Sequence, residues 1–195
     1  MAAAVVLPAD SISVLPEWVS LVTDSKQLSP ARREELAPKI CGWARAWAVG
    51  SASEAEIDSL NILRASFLAM ERAIEQVAGQ VAVKTADAAT VSPMVLPMIL
   101  VDGAYVPPKF PWKMRPIVKG DSRSLSIACA SIVAKVHRDR LMVDLDREFP
   151  GYGLADHKGY STRAHQDAIR QLGPTRIHRR SFQPVRERLA ELGLA

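Results

Sequence analysis

Two aspartates in this sequence have the surroundings of metal ligands. Asp102 closes the apolar run Met98-Ile99-Leu100-Val101 and precedes Gly103, so a short strand would deliver its carboxylate to the rim of a sheet. The glycine beside it would let backbone or ligand come close. Asp121 follows a second short run, Arg115 to Lys119, and precedes a long helical segment. Carboxylate oxygens are the hard donors that Mg²⁺ and Mn²⁺ prefer. Each aspartate also has a plainer reading, Asp102 as a turn residue bonding its own backbone and Asp121 as a cap near a helix start. Late in the chain, Lys158, Arg163, His178, Arg179 and Arg180 suit contacts to phosphate, which position a duplex backbone without reading bases. Any one of them is equally a plain surface charge.

The charge distribution favours a polyanionic partner. The 195 residues carry a net charge of only +4, but residues 1–108 hold 8 basic and 12 acidic side chains, while residues 109–195 hold 17 basic and 9 acidic. The two parts therefore stand at −4 and +8. Lys and Arg that neutralise phosphates release condensed counterions, so the basic part is what a nucleic acid requires. With 48% hydrophobic residues the chain can bury one substantial core, and a single domain spanning 1–195 is expected. Cys41 and Cys129 stand far apart without a metal-binding pattern and read as reduced packing residues. The apolar run Ala2 to Leu7 has no charged segment before it and is too short for a signal peptide or a membrane span. A cytoplasmic protein with no membrane contact is the expectation.

The elements that must carry these residues alternate between strand and helix. Met1 to Leu7 reads as a buried strand, and Ser29-Pro30 as a helix start that Pro38 should kink or end early. Trp43 to Val49 suits a strand. Ser53 and Glu56 form a capping box for a helix placing Leu60, Leu63, Phe67, Met70, Ile74 and Val77 on one stripe. Gly79 to Pro93 reads as a loop, Met98 to Val101 as a strand, Tyr105 to Pro116 as a proline-rich surface connection, and Arg115 to Lys119 as another strand. From Ser124 a long helix runs towards Phe149 with Ile127, Ala130, Ala134 and Leu141 on its apolar face. Gly151 to Ser161 is a glycine-rich loop, Thr162 caps a helix ended by Gly173-Pro174, and Pro184 opens a last helix. Strands mixed with helices point to an α/β domain.

Several segments together resemble ribonuclease HII, in that family's order. They are Asp24-Ser25-Lys26-Gln27-Leu28-Ser29, Glu56 to Leu63, Val101-Asp102-Gly103, Lys119-Gly120-Asp121-Ser122, Ser126 to Asp139, His157-Lys158-Gly159-Tyr160-Ser161-Thr162 and Gly173 to Phe182. The resemblance implies a ribonuclease-H-like mixed sheet flanked by helices. It also implies four acidic residues holding two divalent ions, Mn²⁺ or Mg²⁺, with Asp102 and Asp121 as two of the four. The other two belong to a motif reading Asp-Glu, two variable or small residues, then Gly-Arg-Gly on the family's first strand, and no such stretch occurs in this sequence. Tyr160 matches the tyrosine that recognises the step from ribonucleotide to deoxyribonucleotide. Lys158, Arg179 and Arg180 are the accompanying candidates for substrate binding, whereas Asp24, Asp58 and Asp139 read as structural residues of a turn, a helix surface and a helix interior.

The implied reaction is hydrolysis of the phosphodiester 5′ to a ribonucleotide, leaving a 3′-hydroxyl and a 5′-phosphate. The implied partners are RNA/DNA hybrids and duplex DNA containing ribonucleotides, met by a monomer. On this reading the chain lacks the family's first strand and is expected to cut little as written. The alternatives are a catalytically dead nucleic-acid-binding fragment and an active enzyme whose start is assigned too late.

Overall fold

The computed structural model describes residues 1–8, 15–86 and 98–194, which divide into two compact units. The first comprises Met1–Ser51 and Ser66–Val136, the second Ala52–Ala65 and His137–Ala195.

In the first unit, strand β1 (Ala2–Val6) pairs antiparallel with β2 (Ala46–Gly50), Ala4 opposite Ala48. Successive side chains of a strand point to opposite faces, and both faces of this ladder are used. Ala3, Val5, Trp47 and Val49 pack against helix α1 (Pro30–Trp43) and the first half of α4 (Leu125–Glu148), where Leu36, Ile40, Cys129, Ile132, Val133 and Val136 are buried. Ala4, Val6, Ala46 and Ala48 face Val77 and Val81 of α3 (Ile62–Ala86). A second ladder joins β3 (Ile99–Asp102) to β4 (Met114–Ile117) in parallel. Cys129 is fully buried, and burial pushes its thiol up to about 12, in keeping with a packing role.

In the second unit, short helices surround a smaller core. Tyr152, Leu154, Ile169, Val185 and Leu189 are buried there, with Leu145, Phe149 and Phe182 packed on them. They come from the second half of α4, from α5 (Leu154–His157), α6 (Arg163–Leu172) and α7 (Gln183–Glu191). Helix α2 (Glu54–Leu60) begins at the expected capping box of Ser53 and Glu56. Thr162 caps α6 as the sequence suggests, its hydroxyl accepting from the His165 amide.

Several expectations are corrected. Pro38 lies inside α1 without ending it, because Leu36, Ala37 and Ile40 are buried on either side and outweigh one missing hydrogen bond. The helix expected from Ser53 onward breaks at Asn61, whose left-handed φ of 72° ends α2 while its side chain accepts from the amides of Leu63 and Arg64 to start α3. The buried positions of α3 are Ala65, Ala69, Ala73, Ile74, Val77 and Val81, so Ile74 and Val77 of the expected stripe are buried while Leu63 is exposed. Small residues win because β2 comes too close for large ones: a Cβ on Gly50 would stand 2.1 Å from the Ala69 carbonyl oxygen.

Helix α3 also runs on from Gly79 to Ala86 where a loop was expected, and the rest of that stretch up to Pro93 lies outside the described residues. Gln80 bonds both the amide and the carbonyl of Trp47, which offsets the helix penalty of Gly79. Trp43 ends α1 rather than starting β2. On α4 the buried positions are Ile127, Ala128, Cys129, Ile132, Val133 and Val136, and Leu141 is exposed. Within the expected Gly151–Ser161 loop, Leu154–His157 form one helical turn around the buried Leu154. Among the described residues no helix is long and apolar enough to cross a membrane.

Two measurements check this packing. Gly50→Ala is expected to lower stability by on the order of 3 kcal/mol in urea unfolding, since backbone rather than a flexible side chain obstructs the new methyl. The second concerns His178, 8% exposed and, through burial and its neighbour His165, held well down at about 4. The unfolded chain takes up that proton near 6.5 and the folded chain does not, so stability is full above 6.5 and falls as the pH drops towards 4. The loss is about 3 kcal/mol at most, and His178→Gln should flatten the slope between pH 7 and 5.

Candidate metal and nucleic-acid site

The end of the β3–β4 ladder sets the position of both candidate carboxylates. Asp102 is the last residue of β3, opposite Ile117, and Gly103 continues the ladder with a bond to the Ile117 carbonyl. After β4 the chain turns at Lys119, left-handed at φ 54°, into a single 3-10 turn over Gly120–Ser122. That turn presents the Gly120 amide to Asp102 Oδ1 at 2.8 Å. Gly120 is required there, since a Cβ would meet Ile127 Cδ1 at 2.6 Å and Asp102 Oδ1 at 3.2 Å. Asp102 is exposed, and Asp121, one residue past the bonded amide, is 7% exposed.

A third carboxylate joins them. Asp24 accepts the Lys26 amide at 2.9 Å, the turn role expected of it, and is also hydrogen-bonded to Asp121. Burial, the charges of Asp102 and Asp24, and that hydrogen bond push the Asp121 carboxyl above its ordinary value, against a smaller opposite pull from Lys26. Asp24 is held below its ordinary value, chiefly by the Lys26 amide, so of the two Asp121 takes up a proton first as the pH falls. The Asp24 turn is anchored from beneath. Arg33, buried, donates to the carbonyls of Ser25 (2.8 Å) and Leu28 (2.6 Å), and Ser25 pairs with Ser131 of α4 at 2.8 Å.

Spacing in the sequence gave no sign of this third acid; only its place beside Ser25 and Lys26 in a matched segment could have flagged it. Among the described residues, no group of three or more His, Cys, Asp or Glu side chains is arranged to hold an ion on its own. Asp102 and Asp121 do offer hard oxygens, and Mg²⁺ is commonly held by one or two carboxylates completed by water and substrate phosphate. The donor set therefore fits one such ion.

The remaining candidates belong to the second unit. Tyr160 is 56% exposed, with the Arg138 guanidinium 4.8 Å from its ring centroid. Lys158 is half-buried at φ 51° and turns its ammonium back to the Ala155 carbonyl (2.5 Å). Arg180 is exposed and donates to the Leu194 carbonyl (2.6 Å), while Arg179 lies over the Phe182 ring at 5.5 Å. Arg163 projects into solvent, its side chain 96% exposed. His178 is not a surface contact for phosphate: it is buried, and both ring nitrogens are engaged within the unit. Asp58 is more than a helix-surface charge, since it accepts from the amides of Arg180 (2.7 Å) and Ser181 (3.0 Å) and fixes the loop that carries the two arginines.

Comparison with known proteins gives the family and the fold. The family model for ribonuclease HII matches residues 1–185. A ribonuclease HII of Nitrosococcus oceani is 49% identical over 179 residues, covering 91% of this chain and 81% of that protein. Among solved structures, ribonuclease H2 from Pyrococcus horikoshii superposes with a TM-score of 0.63 at 23% identity, covering 100% of this chain and 95% of the other, which shows the fold. Bst-RNase HIII in complex with Mn²⁺ has a TM-score of 0.52 at 18% identity, covering 89% and 59%. The ordered motifs, the α/β fold and the sequence identity agree: this chain belongs to the ribonuclease HII family.

Proposed function

We propose that this chain acts as a divalent-metal-dependent endonuclease on the RNA of RNA/DNA hybrids and on ribonucleotides within duplex DNA, cutting on the 5′ side of the ribonucleotide. The observation that carries the reading is the pairing of Asp102 and Asp121 at the end of the β3–β4 ladder, in a chain of this family. Mn²⁺ bound to the related Bst-RNase HIII supports a divalent cation as the cofactor.

Asp102 and Asp121 would hold that cation, which supplies activation of water and stabilisation of the leaving oxygen. Crowding of carboxylates around Asp121 favours a positive charge there, because a cation offsets the burial and the repulsion that raise its carboxyl above the ordinary value. Gly120 fixes the direction of the Asp102 carboxylate before any ion arrives. Tyr160 would face the sugar at the ribonucleotide, where the 2′-hydroxyl distinguishes RNA from DNA. Arg179, Arg180 and Lys158 would contact phosphates, the two last by leaving the backbone carbonyls they now hold.

Three outcomes follow. In calorimetric titration with Mn²⁺, Asp121→Asn should lose binding and Asp102→Asn should weaken it more than the roughly 10- to 100-fold typical of supporting groups around a metal. Without metal, Asp121→Asn should melt a few degrees higher than the parent, since it removes a buried charge beside two others. Any cutting of a single-ribonucleotide duplex in Mn²⁺ should leave 3′-hydroxyl and 5′-phosphate ends and vanish in Asp121→Asn. Binding of the duplex with no cutting under any metal would replace the nuclease with a nucleic-acid-binding protein.

A last outcome concerns salt. Affinity for the duplex should fall along a log–log slope of about 0.9 per phosphate contacted, which for about five contacts is several hundredfold between 50 and 200 mM. A flat response would remove phosphate contact by the basic part of the chain altogether.

A further inference from the structure

Three histidines of the second unit, His157, His165 and His178, stand together. The rings of His157 and His165 stack with centroids 4.4 Å apart, and those of His165 and His178 lie 5.5 Å apart. His165 and His178 are buried at 5% and 8% exposure, and their ring nitrogens meet the Tyr160 carbonyl, the Thr175 amide and hydroxyl and each other rather than a carboxylate. Buried imidazoles cost more than apolar side chains of similar size unless their nitrogens are paired, and here every nitrogen is.

The pairing has one direction only. The Thr175 amide, which can only donate, reaches His178 Nδ1 at 3.1 Å, so that nitrogen accepts and the neutral ring carries its proton on Nε2. His178 Nε2 lies 3.3 Å from His165 Nε2, which must then accept, leaving the His165 proton on Nδ1. His165 Nδ1 lies 3.0 Å from the Tyr160 carbonyl oxygen, which can only accept. A backbone donor at one end and a backbone acceptor at the other favour this placement, and the Thr175 hydroxyl, 2.9 Å from His178 Nδ1, can act there as a second donor.

The chain of bonds ends on the one residue of this loop that presents an exposed aromatic ring. The Tyr160 amide donates to the His157 carbonyl (2.9 Å), and its carbonyl also accepts from Thr162 (2.8 Å). His157 in turn accepts the Gly159 amide on Nδ1 (3.2 Å) and donates from Nε2 to the Tyr152 carbonyl (2.7 Å). Lys158 and Gly159 are both left-handed, at φ 51° and 72°, and a Cβ on Gly159 would press on Met142 Sδ at 3.3 Å. The backbone under Tyr160 is thus fixed from inside while its ring stands in solvent over Arg138.

We infer that His165 and His178 are positioning residues for Tyr160, holding its backbone through a one-way hydrogen-bond chain from Thr175 so that its ring meets the sugar of the ribonucleotide. This rests on the reading of Tyr160 given above. Burial and His165 keep His178 neutral at ordinary pH, which the chain requires, since one more proton would set two N–H groups against each other.

The test uses the full chain in EDTA, so that nothing is cut. Fluorescence anisotropy gives the ratio of affinities for a DNA duplex with one ribonucleotide and for the same duplex without it. His165→Leu should lower that ratio roughly 3- to 10-fold, the worth of one hydrogen bond, towards the value of Tyr160→Ala, with affinity for the all-DNA duplex unchanged. His165→Asn, whose amide can donate from near the Nδ1 position, should restore it.

A His165→Leu protein that keeps the parent ratio while Tyr160→Ala loses it overturns the inference and leaves the Tyr160 reading standing. Equal loss in the Leu and Asn variants also overturns it. A parent ratio of one, or no change in Tyr160→Ala, removes the reading on which the inference depends. Should His165→Leu not fold, ¹⁵N spectra of the parent decide: His165 protonated on Nδ1 and His178 on Nε2 support the chain, and His165 protonated on Nε2 overturns it.

Discussion

A pair of carboxylates that repel one another has to be held in place by something other than their own charges. In this protein that restraint is the hydrogen bond from the Gly120 amide to Asp102. It works only because several local features agree. Asp102 must end a strand, Lys119 must accept a left-handed backbone, and residue 120 must have no side chain, with Ile127 filling the space behind it. The parallel β3–β4 ladder sets the spacing, and the first turns of α4 set the wall. Asp121 is then buried beside two other acids, an arrangement that strains the bare protein and suits a cation.

How far the sequence reveals this depends on the range of the interaction involved. Asp102-Gly103, the Ser53/Glu56 capping box and the Thr162 cap are decided by neighbours within four residues, and all three stand as read. The family motifs likewise marked Asp102, Asp121 and Tyr160. What failed were statements needing knowledge of a distant partner. Nothing near Pro38 reports that Leu36 and Ile40 will be buried against α4. Leu63, Phe67 and Met70 look like part of the α3 core until the closeness of Gly50 to Ala69 is known. Asn61 acts as stop and start at once, and a periodic pattern runs straight through it.

The same distinction applies to the polar residues. Asp24 and Asp58 read as local structural residues and His178 as a surface contact for phosphate, and each has a distant partner within the protein. Asp24 meets Asp121, Asp58 caps a loop 122 residues later in the chain, and His178 bonds another histidine through its Nε2. A carboxylate or an imidazole carries no periodic signature of such partners, since a single side chain in a turn satisfies any spacing rule. Family motifs indicate that such residues matter without stating what they touch.

The Gln80 side chain, described above as tying α3 to β2, has a further consequence. Its amide donates to the Trp47 carbonyl at 2.9 Å and accepts from the Trp47 amide at 3.3 Å, the pattern a neighbouring strand would offer. One glutamine thus stands in for one residue of an extra strand at the β2 edge. An edge occupied in this way has lost the paired donor and acceptor that another chain would use to extend the sheet. The contact that keeps a helix in register therefore also acts against self-association, at the point where an alanine-rich ladder, Ala2-Ala3-Ala4 against Ala48 and Ala46, offers little side-chain bulk to keep a second copy away.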